Sequence, residues 1–100
     1  MTVIILDGSS MHEPDDFYAQ IRQHEATPEW FGGNLDALFD LLIAIWPKPI
    51  RVEWHNHVLA RDGLGSYYER LVTVFADAAA HLKSREQELT LICPDECNFA

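Results

Sequence analysis

Thr2 to Leu6 is a short β-branched apolar run closed by Asp7-Gly8, the pattern of a buried strand. A helix follows: Pro14 suits its first turn, Asp15 and Asp16 favour the positive end of its dipole, and Phe17 with Ile21 forms an apolar i,i+4 pair. Thr27-Pro28 is expected to stop it, because the residue before a proline is pushed out of the helical region. Pro28 to Gly33 then reads as a loop, and a second helix is expected from Asn34 to about Ile45, ended by Pro47 and Pro49. Ile50-Arg51-Val52-Glu53-Trp54 alternates as a second strand, and Leu89 to Cys93 reads as a third. Between them Tyr67, Leu71, Val74, Phe75, Ala78 and Leu82 recur at helical spacing, so Ser66 to Lys83 should pack that face inward and leave Arg70, Thr73, Asp77 and His81 outside. Val58 to Arg61 is compatible with a further helical turn or with a loop. Helices connecting successive strands favour an α/β fold with a small three-stranded parallel sheet, right-handed connections and three to four packing helices.

One hundred residues make one domain, and 48% hydrophobic residues without low-complexity tracts are enough for a single core. Sixteen acidic residues against seven Lys and Arg give a formal net charge of −9. That balance disfavours nucleic acid and anionic membrane as direct partners and suits a basic one, although acidic surfaces also serve solubility alone. Val3 to Leu6 is too short for an export segment, and no run approaches membrane-spanning length, so the cytoplasm is the expected compartment. Cys93 and Cys97 form no disulfide framework, and their spacing after a strand is a poor redox setting.

Asp36 and Asp40 lie four residues apart in an otherwise apolar segment, which puts both carboxylates on one helix face, where they repel by about 0.2–0.5 kcal/mol. Asp36 suits the first turn after the N-cap Asn34, but Asp40 has no such reason. No Lys or Arg stands three or four residues from either, so a compensating cation must come from elsewhere in the fold or from another molecule. Just before them, Trp30-Phe31-Gly32-Gly33 joins two aromatics to two glycines on a loop. One aromatic can plug the core there. A large aromatic beside convergent charge also has the chemistry of an interface anchor, and glycines permit close backbone approach. A carboxylate set of Asp36, Asp40 and Asp77 for acid–base or metal chemistry is the competing reading. It lacks a second wall to separate the pKa values, and His55 and His57 are weak candidates as converging metal ligands. His12, His24 and His81 are expected on solvated surfaces. Phosphate-loop, nucleophile-elbow and His-Glu-x-x-His motifs are absent from the sequence.

The stretch Thr27-Pro28-Glu29-Trp30-Phe31-Gly32-Gly33-Asn34-Leu35-Asp36-Ala37-Leu38-Phe39-Asp40 resembles the barstar family of intracellular ribonuclease inhibitors. The resemblance continues through Pro49, Val52-Glu53-Trp54 and Val72 to Phe75, covering residues 1–93 and leaving 94–100 as a C-terminal extension. It implies an inhibitor or immunity protein that binds a cognate basic ribonuclease or toxin domain one to one, without a cofactor, in a bacterial cytoplasm. The acidic helix and its preceding loop would occlude the active site, carboxylates standing in for substrate phosphates. Carried over by position, Asp40 meets the catalytic cations, Asp36 is a second contact, Trp30 packs at the rim, and Gly32, Gly33 and Asn34 form the close-approach loop and cap. Ala44, Ile45 and Asp77 fall at further contact positions. Trp30 stands where the family has a tyrosine and Asp77 where it has a glutamate. Ungapped matching puts Ile45 at a contact tryptophan, whereas a one-residue shift would put Trp46 there. The runners-up are an immunity or regulatory binding protein of the same fold with a non-ribonuclease partner, and a small metal-dependent hydrolase using Asp36 and Asp40.

Overall fold

Strict alternation in the first strand, β1 (Thr2–Asp7), buries Thr2, Ile4 and Leu6 and turns Val3, Ile5 and Asp7 outward. The computed structural model describes residues 1–94. Within it, β1 pairs in parallel with β2 (Ile50–His55), and β2 pairs in parallel with β3 (Leu89–Ile92), giving the sheet order β1-β2-β3. The fold is therefore the expected α/β type, with a three-stranded parallel sheet and four helices: α1 (Pro14–Arg22), α2 (Leu35–Asp40), α3 (His57–Leu64) and α4 (Ser66–Lys83). β1 is not buried on both faces: Val3 is 42% and Ile5 63% exposed. Helices cover the face carrying Ile4, Leu6, Val52, Trp54 and Leu89, while among the described residues the opposite face is exposed at Val3, Ile5 and Arg51 and partly so at Glu53 and His55.

The core forms where α1, β2 and α4 meet. Phe17 lies 5.5 Å from Trp54 and 6.3 Å from Phe75 between ring centroids, and Trp54 lies 6.1 Å from Phe75. Such tilted and edge-on pairs add to the stabilisation that area burial supplies. On α4, Leu71, Phe75, Ala78 and Leu82 are buried as their spacing predicts, while Arg70, Thr73 and Asp77 are exposed. His81 is partly buried instead, its ring edge-on to Phe39 of α2 at 6.1 Å.

α1 ends at Arg22 and not at Thr27. Side chains take the backbone groups that would have continued it: Thr27 Oγ1 donates to the Ile21 carbonyl at 2.8 Å, and His24 Nδ1 accepts the Ala26 N–H at 3.0 Å. An imidazole whose one nitrogen accepts a hydrogen bond carries its proton on the other, so Nε2–H of His24 donates to the Val3 carbonyl at 3.0 Å. His24 is thus partly buried and tied to the sheet edge, where a solvated surface position was expected, whereas His12 is exposed. α3 resolves the open segment 58–61 as helix. The expected extension 94–100 lies, except for Pro94, outside the described residues, as does Cys97.

Asp7 links three elements. Its Oδ1 accepts from Ser9 N at 2.9 Å and Ser9 Oγ at 2.7 Å, capping the 3-10 turn Gly8–Ser10, and from Asn56 Nδ2 at 3.0 Å, beside the start of α3. The Asn56 bond, then those from Ser9, hold the Asp7 carboxyl below its ordinary value. Losing these bonds in Asp7→Ala is expected to cost about 0.5–1 kcal/mol in urea unfolding at neutral pH, the low end of the range for losing a cap because the carboxylate is exposed and screened by water. Because the folded-state value is depressed, this contribution is present above the unfolded carboxyl value near 3.9 and is lost as pH falls through the folded one. The gap between wild type and variant should shrink below about pH 4.

Candidate functional site

The loop between α1 and α2 divides its two aromatics as the sequence allows. Phe31 is 5% exposed and packs on Tyr18, with ring centroids 6.0 Å apart. Trp30, one residue earlier, is 73% exposed. A turn fixes the pair, since Phe31 N donates to the Pro28 carbonyl at 3.1 Å. Beneath Phe31, Tyr18 Oη and Tyr67 Oη lie 2.6 Å apart; burial and this bond raise the Tyr18 hydroxyl well above the usual phenol value.

Arg22, which sequence reasoning passed over, touches the loop three ways. Its Nη2 donates to the Phe31 carbonyl at 3.3 Å, and its guanidinium carbon sits 5.7 Å from the Phe31 ring centroid. It also fills the space beside Gly33, where a Cβ would overlap Nη2. Gly33 has φ +68°, which a side chain would strain, so this glycine meets an internal requirement. Gly32 is exposed, and a Cβ there would make only near-contacts of 3.4 Å with Ala37 and Asn34.

Asn34 caps α2, its Oδ1 accepting from Ala37 N at 2.8 Å with extended backbone angles. Asp36 follows in the first turn and Asp40 ends the α-helical part; both are exposed. Among the described residues the ion pair between fixed charges is Arg51–Glu53 on β2, with His55 Nε2 beside the same carboxylate at 3.4 Å, so neither Asp36 nor Asp40 has a cationic partner there. Ala44, four residues beyond Asp40, is exposed as well. α4 packs beside α2, and Asp77 is exposed one turn before the His81–Phe39 contact. Asp36, Asp40 and Ala44 thus form one exposed stripe, with Trp30 on the loop before it and Asp77 on the neighbouring helix.

The second expected helix is not uniform. After Asp40 the chain widens into a π turn, Leu41–Ile45, in which Trp46 N donates to the Leu41 carbonyl at 2.9 Å. The wider turn carries Trp46 into the core, 0% exposed, with its Nε1 donating to Thr27 Oγ1 at 3.1 Å and the His24 ring 5.3 Å away. Ile45 keeps part of its surface. Of the two residues competing for the tryptophan contact position, Ile45 is therefore the one available at the surface.

A groove of about 680 Å³ between β1 and α1 includes Asp7, Gln20 and His24 and shares no residue with the acidic stripe. His57, weighed as a metal ligand, is buried at the start of α3 with Nδ1 3.2 Å from Tyr68 Oη. Among the described residues no group of three or more His, Cys, Asp and Glu side chains converges as a metal site, and no helix is long and apolar enough to cross a membrane.

Comparison with known proteins points one way. Residues 1–93 match the family model described as barstar, the barnase inhibitor. The chain is also 29% identical, over 83 residues covering 83% of this chain and 91% of the relative, to a protein of Bacillus subtilis (strain 168) named "Putative ribonuclease inhibitor YrdF".

Proposed function

The chain belongs to the barstar family, and we propose that it binds a cognate basic ribonuclease one to one and occludes its active site with α2 and the loop before it. The observation that carries this reading is the pair Asp36 and Asp40: two exposed carboxylates at repelling spacing, without a cation from the described residues, beside a tryptophan that is 73% exposed. Separate surface features of this kind are ordinary. Together they complement a site made to hold anionic substrate, where cations are fixed in place and an aromatic at the rim supplies contact area at low entropic cost. Asp40 is the residue assigned to the catalytic cations. Asp36, Asp77 and Ala44 flank it, Ile45 adds apolar contact, and Gly32 admits close approach of the partner.

Occlusion has a direct kinetic consequence. Inhibition of barnase, as the probe ribonuclease, should be competitive with a short oligonucleotide substrate, and an active-site nucleotide should displace the protein. A stable ternary complex of enzyme, inhibitor and active-site nucleotide would overturn occlusion. Failure to bind barnase together with tight binding of another basic toxin domain would keep the surface and change the partner.

A further inference from the structure

We infer that Arg22 is a positioning residue of the binding surface: it holds the 28–33 loop in its binding shape, so that Trp30 is presented before any partner arrives. This rests on the inhibitor reading above, since a loop matters to affinity only if it meets the partner. Within the loop, Phe31 N to the Pro28 carbonyl is the one backbone bond among the described residues, and a segment that must be ordered on binding loses affinity to that ordering. Arg22 supplies ordering in advance. One guanidinium donates to the Phe31 carbonyl at 3.3 Å, lies 5.7 Å from the Phe31 ring centroid and occupies the space that Gly33 leaves open. The three contacts bracket the loop from the residue after Trp30 to the glycine before the Asn34 cap.

A simpler role is available. Arg22 ends α1, and a cation in the last turn favours the helix dipole wherever it points. Lysine serves the dipole equally well but is a point charge on a flexible stem, without the planar fork that both donates and stacks. The two roles therefore separate at Arg22→Lys.

The test uses the complete chain with Arg22→Ala and Arg22→Lys, reading amide hydrogen exchange at Phe31 against Val52 of β2, together with affinity for barnase. Both variants should speed exchange at Phe31, whose N–H is held by the Pro28 carbonyl, by about tenfold, leave Val52 unchanged, and weaken binding about threefold to tenfold, the fold-change matching one lost ordering contribution. Unchanged loop exchange in Arg22→Ala overturns the inference whatever the partner, and so does wild-type exchange in Arg22→Lys, which would leave only the dipole role. Faster exchange with unchanged affinity also overturns it, because loop order would then not matter for binding. A wild-type protein that ignores barnase counts against that target alone, and the exchange measurement still decides whether Arg22 holds the loop.

Discussion

Asp40→Ala is expected to abolish tight inhibition of the ribonuclease while leaving the melting temperature unchanged or slightly raised. The stability half follows from the free protein. Asp40 is exposed, makes no ion pair among the described residues and repels Asp36 one turn away, so its removal relieves about 0.2–0.5 kcal/mol. The binding half follows from the proposed complex, where the carboxylate is buried against fixed cations. Truncating one member of such a pair typically costs about 2–5 kcal/mol, much of it from stranding the other charge, a range for which the barnase–barstar complex is itself a reference case. Asp36→Ala should weaken binding less and destabilise slightly, because Asp36 also interacts favourably with the first turn of α2. Melting temperatures and inhibition constants measured for both variants decide the matter. An Asp40→Ala protein that inhibits like wild type would place the binding surface elsewhere, and one that also unfolds, while its folded fraction still inhibits normally, would make Asp40 a structural residue.

How much of this was legible before the structure depends on the range of the interactions involved. α4 was readable from Tyr67 to Leu82 because one apolar stripe at helical spacing fills one core face, and its observed limits, Ser66–Lys83, are the expected ones. The acidic pair was readable for the opposite reason: a local repulsion with no local remedy asks for an external partner. α3 stayed open because it is short and starts after Asn56, whose φ of 54° depends on tertiary contacts, among them the bond to Asp7. The π turn was hidden for a related reason. Leu41 to Ile45 has ordinary helical periodicity, and the widening shows only in the Trp46 N–H to Leu41 carbonyl bond, which goes with the burial of Trp46 against Thr27 and His24. Arg22 gave no sequence signal beyond a cation near a helix end, since its contacts lie nine and eleven residues away across a loop. Even β1 misled in part, because a β-branched run looks the same whether one face or both are covered.

Trp46→Ala is expected to destabilise the protein by about 3–5 kcal/mol, the range for deleting a large buried aromatic, read as a lower urea midpoint. Trp46 is 0% exposed, closes the π turn through its backbone N–H, stacks near His24 and donates to Thr27 Oγ1. Loss of the side chain leaves a cavity beside Thr27 and His24, and a close-packed interior fills such a space only in part. With total stabilities of domains this size running to about 5–15 kcal/mol, much of the margin disappears. Ile45→Ala should behave in the opposite way. Being only partly buried, Ile45 should cost about 1–2 kcal/mol in stability, and its larger effect should be on binding, because it presents the surface that Trp46 withholds. Inhibition per folded molecule separates the two: near normal for Trp46→Ala, reduced for Ile45→Ala. If Trp46→Ala remains as stable as wild type yet no longer inhibits, then Trp46 is the contact, and the burial described for the free chain is not that of the bound one.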